Sequence, residues 1–426
     1  MNLYMKESIL HYVWLNKLFY ASDLRTTDGE CVEVLNVGKL NTDAGPDFFN
    51  AKIKITDTLW AGNVEIHTRS SDWSRHKHLI NKAYDNVVLH VVADADTEVF
   101  RTNGTKIPQM VLKYPQEINE NYESLLASQK WILCEDKINE VPKIFINTWK
   151  SALLAERLAQ KTETIQNLLT NSINSWEDAF YVTIAQNFGF GTNSQAFSLL
   201  AKSLPQSILA KHKDNLMQIE ALLFGQSGLL PDNQADNYVS QLKTEYAFLQ
   251  KKYNLTPLEA SQWKLLRLRP DNFPQVRIAQ FAALVQKSSK LFSKVLENHD
   301  IKSLRTLFAC EPSDFWTTHY TFERKSAKKT KNLSRQTIDI LLINTVIPML
   351  FAYAEKRKNQ SLKDEVLELL EQIPAEKNAV VAHWTAIGLL SQSAFDTQAL
   401  LQLKNNYCAD KKCLHCRIGH KILARK

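Results

Sequence analysis

The stretch NTDAGPDFFNAKIKITDTLWAGNVEIHTRSSDWSRHKH (41–78) decides how this chain is read. Two runs within it, AKIKIT (51–56) and LWAGNVEIHT (59–68), alternate apolar and polar residues with the two-residue period of a strand. Thr56-Asp57-Thr58 between them is turn-like. The same alternation sets Glu65 and His67 on one face of the second run. Asp47 stands just before the first run, so neighbouring strands would bring it beside Glu65 over one ion. Such an oxygen-rich pair suits Mg²⁺ or Mn²⁺, which would lower the pKa of a water and neutralise charge on a phosphate. The structural alternative has Asp47 capping the turn after Gly45-Pro46, Glu65 paired with Arg69 or Arg75, and His90 as a core histidine.

Working outward, ECVEVLNVG (30–38) alternates with Val32, Val34 and Val37 as its apolar positions. Upstream, Ile9, Leu10, Tyr12, Val13, Leu15, Leu18 and Phe19 suit a first helix. Downstream, SSDWSRHKHLINKAY (70–84) opens on Ser70, Ser71 and Asp72, good N-caps, and predicts a helix. VVLHVVADAD (87–96) is an apolar run suited to a strand buried on both faces. Asn103-Gly104 marks a further hairpin. Residues 1–118 therefore read as helix, three strands, helix, strand. His76, His78 and His90 can approach the Asp47–Glu65 centre, whereas Trp60 and Trp73 read as core.

Beyond residue 118 the period becomes helical, with segments at 147–170, 177–187, 194–202, 207–224, 234–253, 276–296, 336–355 and 361–372. Residues 119–400 read as all-helical and 401–426 as a Cys/His metal-binding tail. The fold class is α+β, mostly α. Two basic stretches stand out in the helical part. RLRPDNFPQVRIAQ (267–280) carries Arg267, Arg269 and Arg277, either as a rigid corner between helices or as a nucleic-acid-binding surface. RKSAKKTKNLSR (324–335) is either a solvated loop or a phosphate contact.

In the tail, Cys408, Cys413 and Cys416 are spaced C-x4-C-x2-C, with His420 four residues on. Three thiols and an imidazole can make a tetrahedral zinc site. A fourth thiolate from Cys31, Cys134 or Cys310 would allow an iron–sulfur cluster instead. Asn344, Pro348, Glu376 and Asn378 read as packing and capping features.

The chain has 426 residues and a formal net charge of +7, which permits a nucleic-acid partner without requiring one. No secretory signal is visible and no stretch reaches the ~18 uncharged apolar residues of a membrane helix. The expectation is a cytoplasmic protein with no membrane association; the oligomeric state is not readable. Glycine-rich phosphate loops, dinucleotide fingerprints and a Ser-His-Asp order are absent.

Two resemblances follow from these residues. Over roughly residues 5–95, the element order, Pro46-Asp47 and Glu65-Ile66-His67 resemble the PD-(D/E)XK, or restriction-endonuclease-like, nuclease superfamily. That resemblance implies an αβββαβ core, with Asp47 and Glu65 as metal ligands and His67 where the superfamily has a lysine that orients the attacking water. Glu7 would supply the extra acid some members carry. Over nearly its whole length, through GPDFFNAKI, GNVEIHTRSSDW, WKLLRLRPDNFPQVRIAQFA and CADKKCLHCRIG, the chain resembles the uncharacterised bacterial family called domain of unknown function 2851, which implies no activity. The expected function is a metal-dependent nuclease. The alternatives are an inactive nucleic-acid-binding or scaffold protein, and a metal-dependent hydrolase of some other substrate.

Overall fold

The computed structural model describes residues 3–424 apart from 23, 172–174, 233–235, 289 and 299. The fold is α+β and mostly α. It divides into two compact units, Met1–Trp149 with Leu403–Lys426, and Lys150–Gln402. The cuts at 149/150 and 402/403 differ from the expected 118 and 400. The C-terminal residues pack into the first unit, where the Asn121 side chain donates to the Leu423 carbonyl and Lys404 Nζ to the Trp131 carbonyl.

The first unit opens with α1 (Leu3–Leu15), followed by β1 (Val32–Asn36), β2 (Lys39–Leu40), β3 (Phe48–Ile55) and β4 (Thr58–Arg69). Then come α2 (Asp72–Arg75), β5 (Val87–Asp94), β6 (Gln109–Val111) and α3 (Glu117–Leu126), and this segment of the unit ends at Trp149, within α4 (Lys143–Asn171). The sheet order is β1-β3-β4-β5-β6, with β2 also paired to β3. β1, β3 and β4 are antiparallel, with Val32 opposite Ile55 and Ile55 opposite Thr58. β5 joins β4 in parallel, with Glu65 opposite His90, and β6 joins β5 in parallel. The far half of β4, Val64 to Thr68, is buried residue after residue, so both faces are covered there.

Two expectations within this unit change. Residues 70–84 do not form one helix: α2 ends at Arg75, and single 3-10 turns follow at His78–Ile80 and Lys82–Tyr84. The break is at Lys77, which takes φ +60°, a left-handed conformation that no helix continues through. Trp73 is buried as expected, but Trp60 is 40% exposed, because the near half of β4 extends beyond the covered part of the sheet. At Asn103-Gly104 a short hairpin does form, with Phe100 bridged antiparallel to Lys106.

In the second unit, most helices fall within a few residues of their expected positions. Two long segments split. Residues 207–224 become Gln206–Ala210 and Leu216–Ser227, where the Asn215 side chain caps the second helix by accepting from the Gln218 N–H. Residues 276–296 become Pro274–Lys287 and Leu291–Glu297. The helical stretch Arg335–Lys356 is apolar enough to cross a membrane by composition, yet 72% of its most apolar window is buried inside the protein. It is a core helix, with a wide turn at Leu342–Val346.

Candidate metal centre

Asp47 is delivered by the turn 41–47. Gly45 takes φ +114°, a region that only glycine enters at little cost. The Asn41 amide donates to the carbonyls of Asp43 and Pro46. Asp47 and Glu65 are then locked by reciprocal bonds. The Asp47 backbone N–H donates to Glu65 Oε2 at 3.0 Å, and the Ile66 N–H donates to Asp47 Oδ2 at 2.8 Å. Glu65 does not pair with Arg69 or Arg75, which face Asp94 and Asp72 instead.

The second Glu65 oxygen, Oε1, faces imidazoles: His78 Nε2 at 3.3 Å and His67 Nε2 at 3.5 Å. His76 Nδ1 lies 3.1 Å from His67 Nε2. The ligand atoms of His67, His76 and His78 all fall within 4.8 Å of one another. A tetrahedral ion at 2.0–2.1 Å from its nitrogens would space them about 3.3 Å apart, so a small adjustment closes them on one ion. The break at Lys77 makes this possible. On a continuous helix, residues 76 and 78 would point about 200° apart; across the left-handed turn both reach the same centre.

Behind the ligands, His67 Nδ1 lies 2.9 Å from His90 Nε2. With His67 Nε2 free of a proton, Nδ1–H donates to His90 and fixes the ring, the usual role of a partner behind a metal ligand. Tyr84 stacks on His78 with ring centroids 3.7 Å apart, and Trp73 packs edge-on against His78 and tilted against His90. His78 Nε2 and His90 Nδ1 are buried with no hydrogen-bond partner. Buried polar atoms of this kind call for an explanation; for His78 Nε2 the nearest polar group is Glu65 Oε1, at a distance where a cation could sit between neighbouring donor atoms.

The charges agree with ligand chemistry. Burial, reinforced by repulsion from His90, His78, His76 and His11, lowers the His67 pKa to about 2. Burial and His78 lower His90 to about 3. Burial also lowers His78, against the pull of Asp47 and Glu7. All three are neutral imidazoles near pH 7, the form that binds metals. Burial and the adjacent Asp47 carboxylate push Glu65 well above the usual carboxylate range, a tension that a bound cation would relieve.

One member of the site was missed in the sequence. His11, one helical turn after Glu7 on α1, places Nε2 3.2 Å from Asp47 Oδ2. Burial lowers its pKa, but the hydrogen bond to Asp47 and the charges of Asp47 and Glu7 outweigh this and raise it. Glu7 is itself raised, by burial against the opposing effect of His11. The i, i+4 spacing of Glu7 and His11 was the available signal; it was masked by the apolar pattern of the helix. Glu65 and His67 form the floor of the site, whereas Asp47 and His11 are about a quarter exposed and His76 is exposed.

Other expected residues are distributed differently. His420 is apart from this centre, its Nδ1 bonded to Tyr12 Oη at 3.0 Å. Cys408, Cys413 and Cys416 are free thiols, as are Cys31, Cys134 and Cys310. Arg267 and Arg269 are exposed. Arg277 is buried, donating to Gln280 Oε1 at 2.8 Å and to Asn272 Oδ1, with its guanidinium over the Phe190 ring. Its two terminal nitrogens are committed to the corner around Pro274, and the side chain is buried rather than presented at a surface. In the 324–335 stretch, Lys331 is buried, donates to the Thr317 carbonyl and sits 4.1 Å from the Tyr320 ring centroid. That segment is strapped to the unit at this point.

Fold and site together define an α+β protein whose small mixed sheet carries a buried histidine–carboxylate cluster. The chain belongs to the family described as "Protein of unknown function (DUF2851)", whose profile matches residues 7–379. No curated protein and no solved structure matches it.

Proposed function

We propose that the first unit is a metal-dependent phosphodiesterase acting on nucleic acid, with Glu65, His67, His76 and His78 holding the ion and Asp47 and His11 at its open edge. The observation that carries this reading is the convergence of one carboxylate oxygen and three imidazole nitrogens, one of them buried without a partner. The strand arrangement supports phosphodiester chemistry. Antiparallel β1, β3 and β4 precede α2 and the parallel β5, which is the order of the nuclease superfamily the sequence resembles. Three nitrogens and one oxygen suit Mn²⁺ or Zn²⁺ better than Mg²⁺, which favours oxygen.

Such an ion, when bound, polarises a phosphoryl oxygen and lowers the pKa of a water. The chain's own residues do the rest. His90 orients His67, and Asp47 braces β4 through the Ile66 N–H while favouring a proton on His11. His67, buried and neutral, does not supply the cation of the superfamily's lysine. At the open edge stands His11, whose protonated form Asp47 and Glu7 favour, and its Nε2 proton can pass to the leaving oxygen of the scissile bond.

The test is cleavage of linear duplex DNA, single-stranded DNA and RNA with Mg²⁺, Mn²⁺ or Zn²⁺, comparing wild type with Asp47→Ala, Glu65→Ala and His78→Ala. The expected result is cleavage with Mn²⁺ or Zn²⁺ that falls about 100-fold in Glu65→Ala and His78→Ala. Wild-type protein that binds the ion but cleaves none of the three, or variants that cut as well as wild type, would overturn the proposal.

A further inference from the structure

The second unit holds a cleft of about 390 Å³, formed by residues of that unit alone. Small-molecule sites occupy roughly 300–1,000 Å³. Its walls come from α4, from the helices Trp176–Phe188 and Ser194–Ser203, and from the wide turn Leu342–Val346 with Pro348 just beyond it. The wide turn has a local cause. Pro348 carries no N–H, so the carbonyl of Asn344, four residues earlier, loses its ordinary helical donor. The Ile347 N–H reaches back to the Leu342 carbonyl, and the Asn344 carbonyl accepts from Asn187 Nδ2 at 3.1 Å instead. The same amide lies 3.0 Å from Thr345 Oγ1. Widened turns of this kind recur at functional sites.

The lining is amphipathic and lacks an acid. Ile165, Leu168, Val182 and Pro348 supply apolar surface, Lys161 and Lys202 supply positive charge, and among the described residues no carboxylate lines the cleft. Lys161 is half-buried, and its Nζ donates to Asn344 Oδ1 at 3.1 Å. An ammonium has three donors, and this one rests on a neutral amide oxygen. Burial and repulsion from Arg157 lower its pKa to about 7, against the attraction of Glu376. Those two charges have other partners. Arg157 Nε donates to Gln398 Oε1, and Glu376 Oε2 accepts from Thr397 Oγ1 and Gln398 Nε2. A charge withdrawn from water is costly unless it is paired, and an anion entering the cleft would pair this one.

We propose that this cleft binds a small organic anion, a carboxylate or phosphate carried on an apolar body, with Lys161 and Lys202 meeting the charge and Ile165, Leu168, Val182 and Pro348 the body. Lys161 is the anchor, because Asn344 holds its Nζ in place while leaving donors free for the ligand. Lys202 is exposed and stands at the rim. The apolar share of the wall selects an amphipathic ligand over a bare inorganic ion. This inference is independent of the phosphodiesterase reading, since every lining residue belongs to the second unit.

The experiment is isothermal titration calorimetry of the full-length protein with octanoate, octyl phosphate, octanol and inorganic phosphate as probes. The expected result is that an eight-carbon anion binds about tenfold or more tightly than octanol, as a charge-assisted hydrogen bond requires, and more tightly than inorganic phosphate. Tighter octanoate assigns the head group as carboxylate, and tighter octyl phosphate as phosphate. Lys161→Met keeps the apolar stem and should weaken the anion about tenfold or more, while Lys202→Met at the rim should weaken it about threefold. Failure of both anions to bind, octanol binding as tightly as the anions, or undiminished binding in Lys161→Met would overturn the proposal. The comparison of anion with octanol on wild-type protein decides the matter even if Lys161→Met fails to fold.

Discussion

Replacing Glu65 by glutamine separates what this carboxylate costs without metal from what it contributes with metal. Glutamine keeps an acceptor for the Asp47 N–H and turns an amide toward His78, but it cannot ionise. In metal-free wild type, burial and Asp47 raise the Glu65 pKa above its unfolded value. A raised carboxyl favours the folded state below the unfolded pKa, and that advantage is lost as pH rises toward the folded pKa. Each pH unit in this window costs about 1.4 kcal/mol. In EDTA, Glu65→Gln should therefore match wild type near pH 5 and become the more stable protein as pH approaches 8. Saturating metal should narrow the gap at pH 8 and put wild type ahead near pH 5. An ion at 100 times its Kd stabilises the native state by about 2.7 kcal/mol, or about 5–11 °C in Tm for a domain of 150–250 residues. Glu65→Gln should lose most of that gain. The assay is thermal melting by circular dichroism in EDTA and in Mn²⁺ from pH 5 to 8. A variant that melts below wild type in EDTA at pH 8, or gains as much from Mn²⁺, would refute the reasoning.

Other outcomes follow from particular contacts. Lys77→Pro, which cannot adopt φ +60°, should cost about 3 kcal/mol or more and abolish Mn²⁺ binding, whereas Lys77→Gly should stay within about 1 kcal/mol of wild type; unchanged binding in the proline variant would show that the turn does not set the ligands. In metal-free protein, His67 and His90 have lowered pKa values, so the stability they contribute is present above the unfolded pKa near 6.5 and is lost as pH falls below it. Their ring resonances should stay in the neutral form from pH 7 to 5 by NMR, and a midpoint near 6.5 would contradict the burial described here. Arg277→Ala should cost about 2–4 kcal/mol in chemical unfolding and leave the salt dependence of any nucleic-acid binding unchanged; a reduced salt slope would return this arginine to a phosphate-contacting surface.

The sheet was legible because its strands carry the signals that survive in a single sequence, such as the alternation in AKIKIT and the continuous apolar run from Val87. Asp47 beside Glu65 followed directly from two adjacent strands. The histidine cluster was only half legible. His76 and His78 were visible as residues, but their joint approach depends on Lys77 adopting a left-handed turn that no glycine announces. His11 was hidden because a largely apolar helix reads first as packing. The helical unit was legible in its long segments, and its missed breaks at residues 211–215 and 288–290 lie between runs whose apolar periodicity continues across them.

The most direct test of the central claim is pulsed electron paramagnetic resonance of the full-length protein loaded with one equivalent of Mn²⁺, a probe with little affinity for the cysteine thiols. The account expects nitrogen couplings from several imidazoles that weaken in His78→Ala. An Mn²⁺ spectrum with oxygen ligands alone, or no bound Mn²⁺, would contradict it.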